Sequence, residues 1–376
     1  MQVKISDYLW FQEGPGVRNT QYTENGVKLL NVANLVGGKV DISNTSRYIS
    51  EEEAYGKYKH FLVDEGDFII ASSGIKVEYF DKKMGFVSAD QLPLCMNTST
   101  IRFKVMDQSK VNIRYFMYYL KSDEFKEQLA RQITGSAQLN FGPSHLKKMT
   151  MPIIDLVEQE DLVSKLDFVA SLITTRREQL TKLDELVKSR FVELFGDPET
   201  NPKGWDRQRF DQICENLDSR RVPITSTDRK AGNYPYYGAS GIVDYVEDYI
   251  FDEDILLISE DGANLLMRST PIAFSVSGKV WVNNHAHVVR FESKATQKYI
   301  EVCFALTDIS GSITGTAQPK LNQAKLNAML FCIPPIELQE QFAAFVEQTD
   351  KSKLAIQESL TKLETLKKAL MQQFFG

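Results

Sequence analysis

The segment ITGSAQ at Ile133–Gln138 returns as ITGTAQ at Ile313–Gln318, 180 residues later. At the same offset Leu146 matches Leu326 and Met149 matches Met329. QLTKLDEL (Gln179–Leu186) then matches SLTKLETL (Ser359–Leu366), and ELFG (Glu193–Gly196) matches QFFG (Gln373–Gly376). Between these, MPIIDLVEQE (Met151–Glu160) answers IPPIELQEQF (Ile333–Phe342) after a two-residue slip. Chance does not easily supply matches in this order, and self-similarity at a fixed period marks a duplicated structural unit. The chain is therefore expected to build one plan twice, a mixed globular part followed by a long helix.

The stretch from about Asp155 to Gly196 reads as one helix. Its apolar residues fall at Leu162, Leu166, Val169, Ile173, Leu180, Leu183, Val187 and Leu194, with Arg176 as the main gap. Spacing by three and four gives the narrow stripe of a coiled-coil seam. A helix of roughly 40 residues is about 60 Å long, more than a small domain needs to cover itself. Taken alone it could be a long core helix; a spacer is the preferred reading. The second copy, from about Ile336 to Phe375, has its seam at Phe342, Val346, Ile356, Leu360, Leu363, Leu370 and Phe374, interrupted by Thr349, Lys353 and Lys367. Two such helices most simply pack antiparallel, with one globular part at each end. Polar seam positions such as Arg176, Lys353 and Lys367 would then fix the register at some cost in stability.

The 376 residues allow two or three domains, and 43% hydrophobic with 25% charged residues is ordinary for a soluble protein. No apolar run approaches a membrane span, and MQVKISDYLWFQEG lacks the form of a signal peptide, so the expected location is the cytoplasm. Cys95, Cys214, Cys303 and Cys332 form no CxxC pair and read as buried thiols in a reducing compartment. The net charge of −6 argues mildly against nucleic acid, or for contact that is local or shared with a more basic partner.

In residues 1 to about 150, VKLLNVANL, DFIIAS and STIRFKV read as strands, and RYFMYYLKSDEFKEQLARQI as a helical piece before the ITGSAQ turn. Residues 205 to about 335 repeat the plan: DFIIASSG corresponds to DILLISEDG, STIRFKV to AHVVRFES, and KYIEVCFALTDI is a helix. The Pro/Gly-rich GDPETNPKGW (Gly196–Trp205) reads as a linker that stops the first helix. KISDYL resembles RFDQIC (Arg209–Cys214), so the chain starts where its second unit starts and stops where its first helix stops. That order is expected to bring the termini together.

No catalytic constellation survives inspection. His285 and His287, two apart on a strand, would share a face, yet a metal would need further ligands. Asp252–Asp254 and Glu260–Asp261 suggest a metal-dependent nuclease less well than they suggest the two ends of a strand. GxxxxGK[ST] and strand–GxGxxG–helix units are missing, as is the Asn/Asp-Pro-Pro-aromatic motif of an amino-methyltransferase. What remains are loops of small polar residues with aromatic and basic neighbours: GPGVRNTQY, SRRVPITSTDRKAGNYPYYGASG (Ser219–Gly241), SVSGKVWVNNHAH (Ser275–His287) and the two ITG[ST]AQ turns. Phosphates need cations and hydroxyls, and base edges need side chains that donate and accept. The candidate DNA contacts are Arg18, Asn19, Ser73, Lys76, Ser136, Gln138, Arg220, Arg221, Tyr236, Tyr237, Ser240, Lys279, His285, Thr316, Gln318 and Lys320. For ITG[ST]AQ a purely structural part, setting the junction with the helix, weighs equally. The candidate packing and docking positions are Leu166, Ile173, Leu180, Leu183, Val187, Leu360, Leu363 and Leu370.

YPYYGASGIVDYV (Tyr234–Val246), ISEDGANLL (Ile258–Leu266), ITG[ST]AQ, IPPIELQEQ (Ile333–Gln341), the repeat and both helices ending in FG together resemble the specificity subunit of a type I DNA restriction-modification system, over essentially the full chain. The resemblance implies an α+β fold with two similar mixed α/β target-recognition domains, separated by two long helices packed as an antiparallel coiled coil, in a pseudo-twofold internal repeat. The expected bounds are 1–150 for the first domain, 151–196 for the first helix, 197–335 for linker and second domain, and 336–376 for the second helix. Each domain would read one half of a split, asymmetric double-stranded DNA site, and the helices would set the gap. This chain would do no catalysis and carry no cofactor. Two modification subunits would dock on it and methylate adenine with S-adenosylmethionine, while restriction subunits would use ATP and Mg; no membrane is involved. Inserting or deleting four residues in one helix should then change the gap alone. The competing readings are a two-headed protein-binding scaffold and a stand-alone DNA-modifying enzyme.

Overall fold

The computed structural model describes residues 1–132, 140–315 and 317–376. These divide into unit 1, Met1–Thr175 with Leu360–Gly376, and unit 2, Arg176–Ser359.

Besides a short hairpin of Leu35–Val36 with Lys39–Val40, the strands ahead of the helices in unit 1 are β1 (Gln2–Lys4), β2 (Leu9–Glu13), β3 (Val27–Leu30), β4 (Tyr48–Ile49), β5 (Phe68–Ala71), β6 (Met84–Phe86), β7 (Leu94–Met96) and β8 (Thr100–Val105). Helices α1 (Ile113–Leu120), α2 (Asp123–Gln132) and α3 (Pro143–Leu146) precede β9 (Thr150–Pro152) and the long α4 (Leu156–Phe195). An antiparallel sheet runs β2-β8-β5-β6. A second, β4-β3-β7, holds β3 and β7 parallel, and β1 pairs with β9. Every residue of β5, FIIA, is buried, as a continuous apolar run in a central strand should be. The helical piece expected over Arg114–Ile133 is two helices. Lys121 closes the first, and Ser122 caps the second, its hydroxyl accepting from the Phe125 N–H at 3.2 Å.

Unit 2 has β10 (Arg207–Arg209), β11 (Glu215–Asn216), β12 (Ala231–Gly238), β13 (Gly241–Val246), β14 (Phe251–Asp252), β15 (Ile255–Ser259), β16 (Ala273–Val276), β17 (Lys279–Val282) and β18 (Ala286–Arg290). Then come α5 (Lys294–Leu306), α6 (Gln323–Ala328), β19 (Leu330–Cys332) and the long α7 (Ile336–Phe375). Its sheets follow the first unit's plan, with one more strand in the second sheet. They are antiparallel β11-β18-β15-β16, β13-β12-β17-β14 with β12 and β17 parallel, and the β10-β19 pair. The Ile5 N–H donates to Met149 at 3.1 Å, and the Phe210 N–H to Met329 at 2.9 Å. The resemblance of KISDYL to RFDQIC is thus a shared place in the fold.

From the ITG[ST]AQ turns to the helix ends the repeat keeps one offset of 180 residues. The long helices begin at Leu156 and Ile336 and end at Phe195 and Phe375. Gln159 donates to the Ile154 carbonyl at 2.9 Å and Gln339 to that of Pro334 at 2.7 Å. The two-residue slip expected between MPIIDLVEQE and IPPIELQEQF is therefore corrected: Pro334-Pro335 stand where Ile154-Asp155 stand. Both lie ahead of the first helical turn, where no intrahelical bond needs their N–H. Each helix stops at a left-handed glycine, Gly196 (φ 79°) and Gly376 (φ 91°). After Gly196 the expected linker folds back on the helix end, Lys203 donating to the Glu193 and Leu194 carbonyls at 2.8 and 2.9 Å and Trp205 to Phe195 at 2.9 Å.

Within unit 2, Phe191 and Phe195 of α4 pack on Phe342 of α7, and Asp184 pairs with Lys353 at 2.7 Å. Numbers rise on one helix as they fall on the other, so the pair is antiparallel. Within unit 1, Leu162 and Leu166 share a core with Phe375, and Leu370, Met371 and Phe374 pack against it. Leu166, Ile173, Val187 and Leu360 are buried, while Leu180, Leu183, Leu363 and Leu370 are half-buried. Gln2 donates to Glu124 at 3.0 Å, and a methyl added to Gly376 would come 3.9 Å from the same carboxylate, so both termini lie at one place in unit 1. Cys95, Cys303 and Cys332 are buried thiols and Cys214 is half-buried. Among the described residues no helix is long and apolar enough to cross a membrane.

Candidate nucleic-acid interface

In each unit the segment before the last helix–strand passage is tied to the turn that follows the central strand. In unit 1, Asn140 bridges Ser73, and the Phe141 N–H donates to Ser72 at 3.0 Å. In unit 2, Lys320 bridges Asp261, and the Leu321 N–H donates to Glu260 at 2.8 Å. The sheet thus delivers β5 and β15, and the residues after ITG[ST]AQ, to the same end in both copies. Thr314 and Lys320 exchange two backbone bonds of 2.8 and 2.7 Å, closing a small loop in which Gly315 has φ 83°. Ser136, Gln138 and Thr316 lie outside the described residues.

Glu260 is the hub of unit 2. Its carboxylate lies 2.7 Å from Arg221, 3.0 Å from Lys320 and 3.8 Å from His287. Burial pushes its pKa up, but the bonds from Arg221 and Lys320 and the nearby charges outweigh this and hold it below the usual range. Asp218 behaves alike. Burial raises it, and the bond from His287 at 2.6 Å with that from the Val288 N–H at 2.8 Å brings it below normal. The Glu260 N–H donates to His285 at 2.9 Å, and the buried Ser259 hydroxyl donates to the Ala239 carbonyl at the β12–β13 tip. Four chain segments therefore meet at one turn.

The candidate contacts separate on this geometry. His285, Lys320, Gln318 and Ser240 are exposed at these loops. His285 and His287 do not share a face. The strand begins only at Ala286, so His285 stays exposed against Asp261 at 2.9 Å, while His287 is buried between Asp218 and the Leu321 carbonyl. Arg221 is largely buried, held by Glu260, Asp218 and the Ala286 carbonyl, and Tyr236 is 1% exposed with its hydroxyl on Ile224. Both support loops. Tyr237 is half-buried against Phe274. Arg220 pairs with Glu253 at 2.6 Å over the Phe251 ring, and Lys279 lies over Tyr249 on the second sheet. Asp254 likewise pairs with Lys294 at 2.7 Å.

In unit 1, Ser73 donates to Ser99 at 2.6 Å, and Asn97 accepts from the Val17 N–H at 3.1 Å. Asn97 thereby pins the loop that carries Arg18 and Asn19, both exposed. That loop passes so close that a Cβ on Gly14 would fall 2.0 Å from the Asn97 carbonyl oxygen, which only glycine permits. Lys76 is exposed beside Glu78 at 3.7 Å. Sequence reasoning missed Asn97, Asn140 and the hub role of Glu260, because nothing local distinguishes them from other turn residues.

A sequence profile described as "Type I restriction modification DNA specificity domain" matches residues 19–184 and again residues 202–368. A protein of Haemophilus influenzae named as a type I restriction enzyme specificity subunit is 33% identical over 138 residues, 37% of this chain and 35% of its own length. The MjaVIII specificity subunit of Methanocaldococcus jannaschii is 24% identical over 190 residues, 50% of this chain and 43% of its own. The matches thus span less than half the length of these two relatives, whereas the MjaIX specificity subunit of the same organism is 20% identical over 93% of this chain and 92% of its own. Among solved structures, the S subunit of a type I restriction-modification system from M. genitalium superposes with a TM-score of 0.63 at 14% identity, covering 100% of this chain and 96% of that one. A chain from a study of complex assembly in the type I system gives 0.56 at 16% identity, covering 100% and 97%. Both likenesses are of fold.

Proposed function

The chain belongs to the type I restriction modification DNA specificity family, and on that premise we propose that each globular part reads one half of a split, asymmetric double-stranded DNA site. The observation that carries this reading is one scaffold furnished two ways. The same loop junction presents Ser73 and Asn140 in unit 1, and Asp261, His285 and Lys320 in unit 2. Phosphate contacts position a protein on the duplex, and base-edge contacts specify sequence. A shared frame with unlike donors and acceptors suits two unlike half-sites. The long helices set the gap between them and dock two modification subunits, which supply adenine methylation with S-adenosylmethionine. Restriction subunits supply the ATP- and Mg-dependent steps. This chain contributes recognition without catalysis or a cofactor, in the cytoplasm.

The test is selection from a random duplex pool by this chain assembled with its modification subunits. Two unlike enriched half-sites at a fixed spacing are expected. A pool recovered without enrichment would point to a two-headed protein scaffold. The chain alone, incubated with DNA, magnesium and S-adenosylmethionine, is expected to give no product.

A further inference from the structure

We propose that Asn140 and Lys320 each determine one base of their unit's half-site, Asn140 an adenine and Lys320 a guanine. This rests on the DNA-reading function above and names the chemistry that performs it.

The two residues occupy one place in the duplicated plan. They stand 180 positions apart, each two residues after ITG[ST]AQ. Each is bridged to the turn after its central strand, to Ser73 and to Asp261. Each is followed by an apolar residue, Phe141 or Leu321, whose N–H holds that turn. Backbone groups make these bridges and bonds, so that pairing requires neither side chain. Both residues are exposed at the loop end of the sheet.

Their chemistry differs in the way that base readout needs. An asparagine amide donates and accepts side by side and matches adenine N7 and N6 in the major groove, whereas a lysine only donates and matches the guanine N7 and O6 acceptors. Asparagine and lysine also serve as phosphate contacts, and a phosphate contact would reveal itself by weakening all sites alike when exchanged. Glu260 steadies Lys320 at 3.0 Å but shares its charge with Arg221 at 2.7 Å. An ammonium has three N–H donors, so two remain for a base. Glu260 is on this account a positioning residue.

The experiment maps adenine methylation by the assembled complex on a randomised-site library, for the native chain, Asn140→Lys and Lys320→Asn. Asn140→Lys should move one position of one half-site from adenine toward guanine by tenfold or more and leave the other half-site alone. Lys320→Asn should do the converse in the other half-site. Asn140→Gln and Lys320→Arg, which keep the hydrogen-bonding type, should keep the native bases even where the exchanges assemble poorly. If the exchanges weaken all sites alike and preserve the motif, or if the conservative variants lose discrimination, the proposal is overturned. A native complex with no split motif would instead overturn the DNA-reading function itself.

Discussion

The ring of Phe191 on α4 meets that of Phe342 on α7 edge to face, with centroids 5.5 Å apart at 80°. Phe342 is fully buried, and Phe195 packs on it at 5.4 Å. Phe342→Ala removes a large buried ring and should cost roughly 3–5 kcal/mol. Leu354→Ala on the same helix, 63% exposed, should stay within about 0.5 kcal/mol. Denaturant unfolding of both variants measures the difference, and equal losses would contradict the seam.

Acid should weaken unit 2 through Asp218 and Glu260. Both carboxyls are held below their usual values in the folded protein, because bonds from His287, Arg221 and Lys320 outweigh burial. A depressed folded pKa contributes stability that is complete above the unfolded value, roughly pH 4, and is lost as the pH falls through the folded value. Unfolding free energy followed from neutral to acid pH should therefore drop in that window. Glu260→Gln should flatten the drop, and an unchanged slope would remove Glu260 from the account.

Tyr236 separates loop support from DNA contact. Its hydroxyl accepts from the Ile224 N–H at 3.1 Å, and Arg229 lies over its ring at 4.4 Å. Tyr236→Phe should cost about 1 kcal/mol, the usual net worth of one hydrogen bond, and leave the methylated sequence as it was. A changed half-site would return Tyr236 to the DNA.

The long helices were legible because their signal is local and periodic, three and four residues apart from Leu162 to Leu194. The duplication was legible because ITG[ST]AQ and the helix ends survive in both copies. The register between Ile154 and Pro334 was misread, since two prolines imitate a shifted match. The histidine pair was misread because strand alternation was carried one residue beyond the start of β18 at Ala286. The Glu260 hub was invisible for a different reason. Arg221 lies 39 residues before it, and Lys320 follows only after β16, β17, β18 and α5, so no local pattern joins them.

The central claim is that two units read two half-sites whose gap the helices set. Its most direct test is genome-wide mapping of methylated adenine in cells carrying the modification subunits with either the native chain or a chain bearing four added residues in one long helix. The native chain should give a split motif of two unlike halves, and the longer helix should give the same halves at a changed gap. An unchanged gap, or halves that alter with helix length, would contradict it.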